Sequence, residues 1–238
     1  MKKIAQGNTA EIYEYTKDTI CKLFWNDYPK QAIELEYKNA GILYEVTHLS
    51  PKCHEQVCID GRAGIIYDKL VGHDLLKEMI EDLSDKNKIL SILDEMVELQ
   101  KNLLTYEGKE CISYKSFLRS LVPERSEEYT YMIKLIDELH DGDCICHGDF
   151  HPGNVWRNND GSLSIIDCMN VCKGPREYDI ARTFFLMTEE QEKDETIREL
   201  KKMIGTAYLA KMGYDSERIS EYLKVITLCR KYEMAGED

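Results

Sequence analysis

Up to about residue 70 the apolar residues come in short alternating runs, and beyond residue 72 they recur every three or four positions. A chain with that change of period builds a sheet first and helices afterwards. Ala10, Ile12 and Tyr13 among polar neighbours predict a strand over 9–15, and the run 19–24 predicts a second. Asp27 to Pro29 breaks the chain, after which Ile33, Tyr37, Ala40 and Tyr44 keep a helical period over 30–46. Residues 57–59 and 63–70 read as two more strands, joined by the hairpin turn Asp60-Gly61. Helices follow over 86–104 (Ile89, Leu93, Met96, Leu99, Leu103), 116–122 and 127–139, and again from about 178. The plan is a small β-rich lobe with one helix ahead of a mainly helical lobe, divided near Leu70 to Gly72.

Between the later helices lies a stretch of different character. Cys144-Ile145-Cys146 is apolar, 148–153 is a loop, Asn158 to Gly161 is a turn, and 163–166 is another strand. The loop carries His147-Gly148-Asp149-Phe150-His151-Pro152-Gly153-Asn154, and the strand after the turn ends on Ile165-Ile166-Asp167. Two strands paired by that turn set Asn154 and Asp167 side by side. A carboxylate and an amide oxygen are hard ligands suited to Mg²⁺, which takes few protein groups and completes its shell with phosphate oxygens and water. Asp149 stands close enough in sequence to orient a hydroxyl and accept its proton. Turn-forming Asp and Asn are common, but three such residues at these spacings behind His147 favour chemistry over turn geometry. His151 reads equally as a residue that holds the loop by hydrogen bonds.

This segment resembles the aminoglycoside phosphotransferase and choline kinase family, relatives of the protein kinases. The match is His147-Gly148-Asp149-x-His151-x-x-Asn154 followed by Ile166-Asp167. The resemblance implies a bilobal, protein-kinase-like α+β fold, with a nucleotide-binding lobe over 1–71 and a catalytic and acceptor-binding helical lobe over 72–238. It also implies Asp149 as catalytic base, Asn154 and Asp167 as Mg²⁺ ligands, and Cys168-Met169 in place of the Phe and Gly of the kinase Asp-Phe-Gly.

Lys22 lies inside the apolar run of the second strand, where an unpaired charge is costly to bury, so it needs an anionic partner. The family pattern supplies the α/β-phosphates of ATP or GTP and a helix glutamate. Glu36 is the choice for that glutamate and Glu34 the alternative. By the same resemblance Gly7, Asn8 and Thr9 belong to the loop over the phosphates, with one glycine where protein kinases carry three. Asp68 and Leu70 belong to the hinge whose main chain meets the base. Asp179 is expected as the N-cap of the next helix, supporting the catalytic loop from behind.

Two departures speak against a protein kinase. Gly148 stands where many protein kinases carry an arginine, and only 12 positions separate Asp167 from Asp179, too few for a long activation loop. A small-molecule hydroxyl acceptor is the better expectation. The net charge of −13, from 44 acidic and 31 basic residues, repels nucleic acid and anionic lipid and attracts a cation. Glu78, Glu81 and Asp82 are candidates to line a cationic acceptor site, or plain solvated helix faces. No apolar run approaches the roughly 18 residues of a membrane span, and no secretory signal is apparent, so the expectation is cytoplasmic. The nine cysteines include no Cys-x-x-Cys, which points to reduced thiols in that compartment. The alternatives to a small-molecule kinase are a nucleotide-binding module without turnover and a kinase acting on a protein or a tRNA-linked complex.

Overall fold

The structure is a computed structural model describing residues 1–81, 83–188 and 195–235. Along the chain come β1 (Lys2–Gln6), β2 (Ala10–Glu14), β3 (Thr19–Phe24), α1 (Lys30–Thr47), β4 (Cys53–Ile59), β5 (Arg62–Asp68) and β6 (Gly72–Asp74). Then follow α2 (Leu75–Glu81), α3 (Lys86–Leu103), α4 (Tyr114–Leu121), α5 (Tyr129–Glu138) and β7 (Cys144–Cys146). A 3₁₀ turn at Pro152–Asn154 leads to β8 (Val155–Asn158), β9 (Leu163–Ile165) and β10 (Cys172–Gly174). The helices α6 (Arg176–Thr188), α7 (Glu195–Met212) and α8 (Ser220–Ala235) complete the described chain.

These elements form two compact units. The first is Met1–Leu75 with Asn154–Asn170, and the second is Leu76–Gly153 with the chain from Val171 onward. The sequence division near residue 71 follows chain order, whereas contact groups the β8–β9 hairpin with the first unit. β8 pairs antiparallel with β6, and Ile165 donates its N–H to the Leu49 carbonyl at 2.7 Å.

In the first unit a five-stranded antiparallel sheet runs in the order β1-β2-β3-β5-β4. β3 is therefore central, with Lys22 between Ile12 of β2 and Ile65 of β5. Cys21, Leu23 and Ile66 make a buried cluster with Tyr13, Val57 and Ile59, so the alternation in the sequence puts Lys22 on the other face. The β4–β5 turn holds Asp60 and Gly61 at φ 51° and 82°, the geometry a two-residue hairpin of matching twist requires. α1 buries Ile33, Glu36, Asn39, Ala40, Leu43 and Thr47.

β1 is absent from the sequence reading because all five of its residues are exposed, which leaves no alternation to detect. β4 begins four residues ahead of the expected 57 for a related reason: His54, Glu55 and Gln56 face solvent.

The second unit is held by an apolar core that includes Leu93, Met96, Leu103, Leu118, Met132, Ile136, Phe150, Tyr178, Tyr208 and Ile226, all fully or almost fully buried. Asp85 caps α3 by accepting from the Lys88 N–H, and Ser113 caps α4 by accepting from that of Ser116. β7 and β10 pair antiparallel with Cys146 opposite Cys172, so Cys144-Ile145-Cys146 is a buried strand, and all nine cysteines are free. No helix among the described residues is long and apolar enough to cross a membrane.

Candidate active site

Burial of Lys22 in mid-sheet forces the first unit to neutralise it. Its ammonium donates to Glu36 Oε1 at 2.6 Å and to Asp167 Oδ1 at 3.1 Å. Glu36 is 1% exposed and also accepts from the Tyr67 hydroxyl at 3.1 Å, while Glu34 is exposed. Burial pulls the Lys22 ammonium down, but the carboxylates of Asp167 and Glu36 more than reverse it, holding its pKa above the ordinary lysine value. Glu36 is pushed up by burial, with Lys22 offsetting part of the shift and the negative Asp167 adding to it. Two carboxylates thus share one ammonium, and Glu36 Oε2 is buried without a hydrogen-bond partner.

Asp167 and Asn154 come together through the β8–β9 ladder. Val155 stands opposite Ile165, and Ile166 donates its N–H to the Asn154 carbonyl at 3.0 Å, so Asp167 lies one residue beyond the pair. Asp167 adopts φ 63°, a left-handed backbone that a non-glycine residue holds only when its surroundings fix it. Its carboxylate is about half exposed and Asn154 is nearly buried.

This donor set fits Mg²⁺. It offers one carboxylate and one amide oxygen beside a locally negative cluster, and no group of three or more acidic, His or Cys side chains that could hold a metal occurs among the described residues. A metal here would complete its shell from phosphate and water, as Mg²⁺ does.

The other expected first-unit residues lie elsewhere on the sheet. Gly7, Asn8 and Thr9 form the β1–β2 turn, closed by the Gly7 N–H on the Ala10 carbonyl at 2.9 Å. Trp25 ties this turn down, donating its indole N–H to the Asn8 carbonyl at 2.7 Å and its backbone N–H to Thr9. A Cβ added at Gly7 would meet only the Ala10 carbonyl at 3.9 Å, so the turn has room for a side chain. At the end of β5 the Asp68 N–H goes to Lys52 and the Lys69 N–H to Asp18, while the Asp68 carboxylate meets His54 Nε2 at 2.7 Å. Those two backbone donors are already engaged, which leaves Leu70 as the next along the chain.

Asp149 belongs to the second unit. The preceding Gly148 has φ 74°, a conformation that disfavours any side chain with a Cβ, so an arginine there would be strained. Gly148 donates its N–H to Asp179 Oδ1 at 2.8 Å and accepts at its carbonyl from Arg182 Nε at 2.9 Å. Asp179 is fully buried and its pKa is raised by that burial, against the opposing hydrogen bonds from Gly148 and Gln100. Gln100 Nε2 donates to Asp179 Oδ2 and to Thr183 Oγ1, both at 2.9 Å, and Gln100 Oε1 accepts from the Tyr208 hydroxyl at 2.7 Å. Asp179 is the fourth residue of α6, not its N-cap as expected; helix formation from Arg176 puts it inside the first turn, with its carboxylate spent on the Gly148 peptide.

His151 Nδ1 accepts from the Gly153 N–H at 3.1 Å, so a neutral His151 carries its proton on Nε2, which lies 3.8 Å from Asp149 Oδ2. That arrangement holds the loop. Of the acidic residues considered for an acceptor, Glu78 and Glu81 lie on α2, Glu81 beside Lys88 at 3.6 Å, and Asp82 lies outside the described residues.

Sequence reasoning did not find Asn39, Tyr67, Gln100, Arg182 or Tyr208. The available signal was a polar residue on a buried stripe: Glu36 and Asn39 on that of α1, and Gln100 on that of α3.

A model described as the phosphotransferase enzyme family matches residues 100–219, half of the chain. No curated protein matches. Among solved structures, an aminoglycoside phosphotransferase from Streptomyces rimosus, in complex with ADP and streptomycin, is 16% identical, with 89% of this chain and 87% of that one covered at a TM-score of 0.61. An aminoglycoside-3'-phosphotransferase of type VIII is also 16% identical, covering 95% and 91% at 0.63. A choline kinase from Streptococcus pneumoniae is 17% identical, covering 100% and 86% at 0.57. These likenesses establish an α+β, protein-kinase-like fold, and the chain belongs to the phosphotransferase enzyme family.

Proposed function

We propose that the chain is a small-molecule kinase that moves the γ-phosphoryl group of ATP or GTP onto an alcohol hydroxyl of an amino-sugar, amino alcohol or related metabolite. The observation that carries this reading is the Lys22–Glu36–Asp167 cluster: a buried lysine fixed by a helix carboxylate beside a half-exposed aspartate. An ammonium held in that way is a ready counter-charge for the α/β-phosphates of a nucleotide. Asn154 and Asp167 would hold Mg²⁺, which when bound neutralises charge on the β- and γ-phosphate oxygens. Leu70 is the backbone donor left at the end of β5 for the base, and the Gly7–Thr9 turn supplies the cover over the phosphates.

Asp149 orients the acceptor hydroxyl and takes its proton as the new O–P bond forms and the bond to the leaving nucleoside diphosphate breaks. Gly148, held from both sides by Asp179 and Arg182, gives Asp149 a fixed main chain to work from. A cationic acceptor is favoured by charge. The first unit carries 13 acidic and 10 basic residues, which leaves 31 and 21 for the second, so ten of the thirteen net negative charges lie there. The structural neighbours include proteins solved with streptomycin and with ADP, and a choline kinase.

The test is nucleotide consumption with Mg²⁺ across amino-sugars, amino alcohols, sugars and nucleosides, comparing wild type with Asp149→Asn. Acceptor-stimulated turnover that the substitution abolishes supports the reading. Nucleotide binding with no stimulated turnover on any acceptor would move the chain to the class of silent nucleotide-binding modules.

A further inference from the structure

Asn39 is 1% exposed on the buried face of α1, one turn beyond Glu36. A buried amide without partners is costly, so an asparagine in a stripe of Ile33, Ala40 and Leu43 calls for an account. Its Nδ2 donates to the Cys168 carbonyl at 3.2 Å and to the Met169 carbonyl at 3.1 Å, one hydrogen to each. These carbonyls belong to the two residues that immediately follow Asp167.

Asp167 therefore sits between two anchors within one compact unit. Ahead of it, the Ile165 and Ile166 N–H groups are bonded to Leu49 and Asn154. Behind it, Asn39 grips the main chain. Between the anchors the backbone takes the left-handed φ of 63°, which an aspartate keeps only when its neighbours fix it. α1 thus acts on Asp167 from two sides, through the Glu36-bound Lys22 on its carboxylate and through Asn39 on the main chain of the two residues after it.

We propose that Asn39 is a positioning residue for Asp167, holding the backbone after it so that the carboxylate faces an incoming Mg²⁺. The proposal rests on Asp167 being a metal ligand, as read above. Residues that orient a metal ligand typically change metal affinity by about 10–100-fold when replaced, and a buried asparagine that only satisfies itself does not.

The experiment measures ADP affinity in EDTA and with saturating Mg²⁺ for wild type, Asn39→Leu and Asn39→Ser. Cooperative thermal unfolding serves as the check that each variant folds. The expected result is metal-free ADP affinity within about twofold of wild type and a Mg²⁺-linked gain reduced about tenfold or more in Asn39→Leu. An unchanged Mg²⁺-linked gain in a folded variant overturns the proposal. So does an equal loss of affinity with and without metal, which marks a purely structural role. If wild type itself shows no Mg²⁺-linked gain, the metal-ligand reading of Asp167 fails, and this proposal with it. A measurement on unsubstituted protein stands beside these: the Asn39 side-chain amide resonance of the ADP complex is expected to shift when Mg²⁺ is added. A resonance that stays in place overturns the proposal whether or not the variants fold.

Discussion

Lys22 has two carboxylates within hydrogen-bonding reach and little water around it, so its removal strands Glu36 with only the Tyr67 hydroxyl. Breaking a buried pair by deleting one partner costs about 3–5 kcal/mol, and Lys22→Met is expected to lose stability on that order in urea unfolding. The double variant Lys22→Met/Glu36→Leu should lose clearly less than the sum of the two single losses, because it removes the stranded charge; strict additivity would mean the two side chains are not coupled. The raised Lys22 pKa contributes stability that is fully present below the unfolded lysine value and is lost only as pH rises through the folded one, so this pair stays intact across neutral pH. Asp149→Asn keeps the size of the side chain but removes the proposed proton acceptor. Acceptor-stimulated turnover is expected to fall by about 10²–10⁴-fold with nucleotide affinity nearly unchanged, as read by equilibrium binding on the same preparation.

At the scale of elements, three helices meet at one amide. Gln100 of α3 joins Tyr208 of α7 to Asp179 and Thr183 of α6, and Asp179 in turn fixes the Gly148 peptide. Replacing Gln100 by Leu removes one hydrogen-bond partner each from the Asp179 carboxylate and the Tyr208 hydroxyl in the core. A hydrogen bond contributes about 0.5–1.5 kcal/mol, and more to a charged group, so denaturant unfolding should show a loss of at least about 1 kcal/mol; a neutral result would mean that water or a neighbour replaces the amide.

The sheet edge makes a different prediction. Lys3 first, and then Arg62, draw the Glu11 carboxyl down to about 2. A depressed carboxylate adds stability above its unfolded value, and that contribution disappears as pH falls from about 4.5 towards 2. Glu11→Gln should therefore flatten the acid limb of a thermal-midpoint profile over that interval. An acid limb identical to wild type would show that the contact is too solvated to matter.

The elements that the sequence revealed are those with a buried face and enough length to repeat. α1, α3 and the β4–β5 hairpin qualify, whereas β6 and β10 are three residues long and lack the apolar run that marks β7, and β1 is exposed along its whole length. Glu36 was legible because Lys22 required an anion. Asn39 was not, because the apolar period drawn through Ile33, Tyr37, Ala40 and Tyr44 lies slightly rotated from the face that packs, and the partners of Asn39 are main-chain carbonyls 129 and 130 residues away. Gln100 was hidden for a similar reason: its contacts are made by folding, to residues 79, 83 and 108 positions distant.

For the molecule as a whole, the uneven distribution of charge has a kinetic signature. Surface potentials steer ions over about a Debye length, ~10 Å at 0.1 M salt. A cationic acceptor should show KM rising with ionic strength, while a neutral hydroxyl acceptor of similar size should not. Equal salt dependence for both would remove charge from the account of acceptor choice.

The reaction proposed for this chain is transfer of a phosphoryl group to a hydroxyl. Phosphorus NMR of a reaction containing Mg²⁺, ATP or GTP and an amino-alcohol or amino-sugar acceptor reads that transfer directly. Transfer to the acceptor gives a new phosphomonoester resonance that grows in step with nucleoside diphosphate and is absent with Asp149→Asn. Nucleoside diphosphate accompanied only by inorganic phosphate, or a phosphomonoester signal that survives Asp149→Asn undiminished, would contradict it.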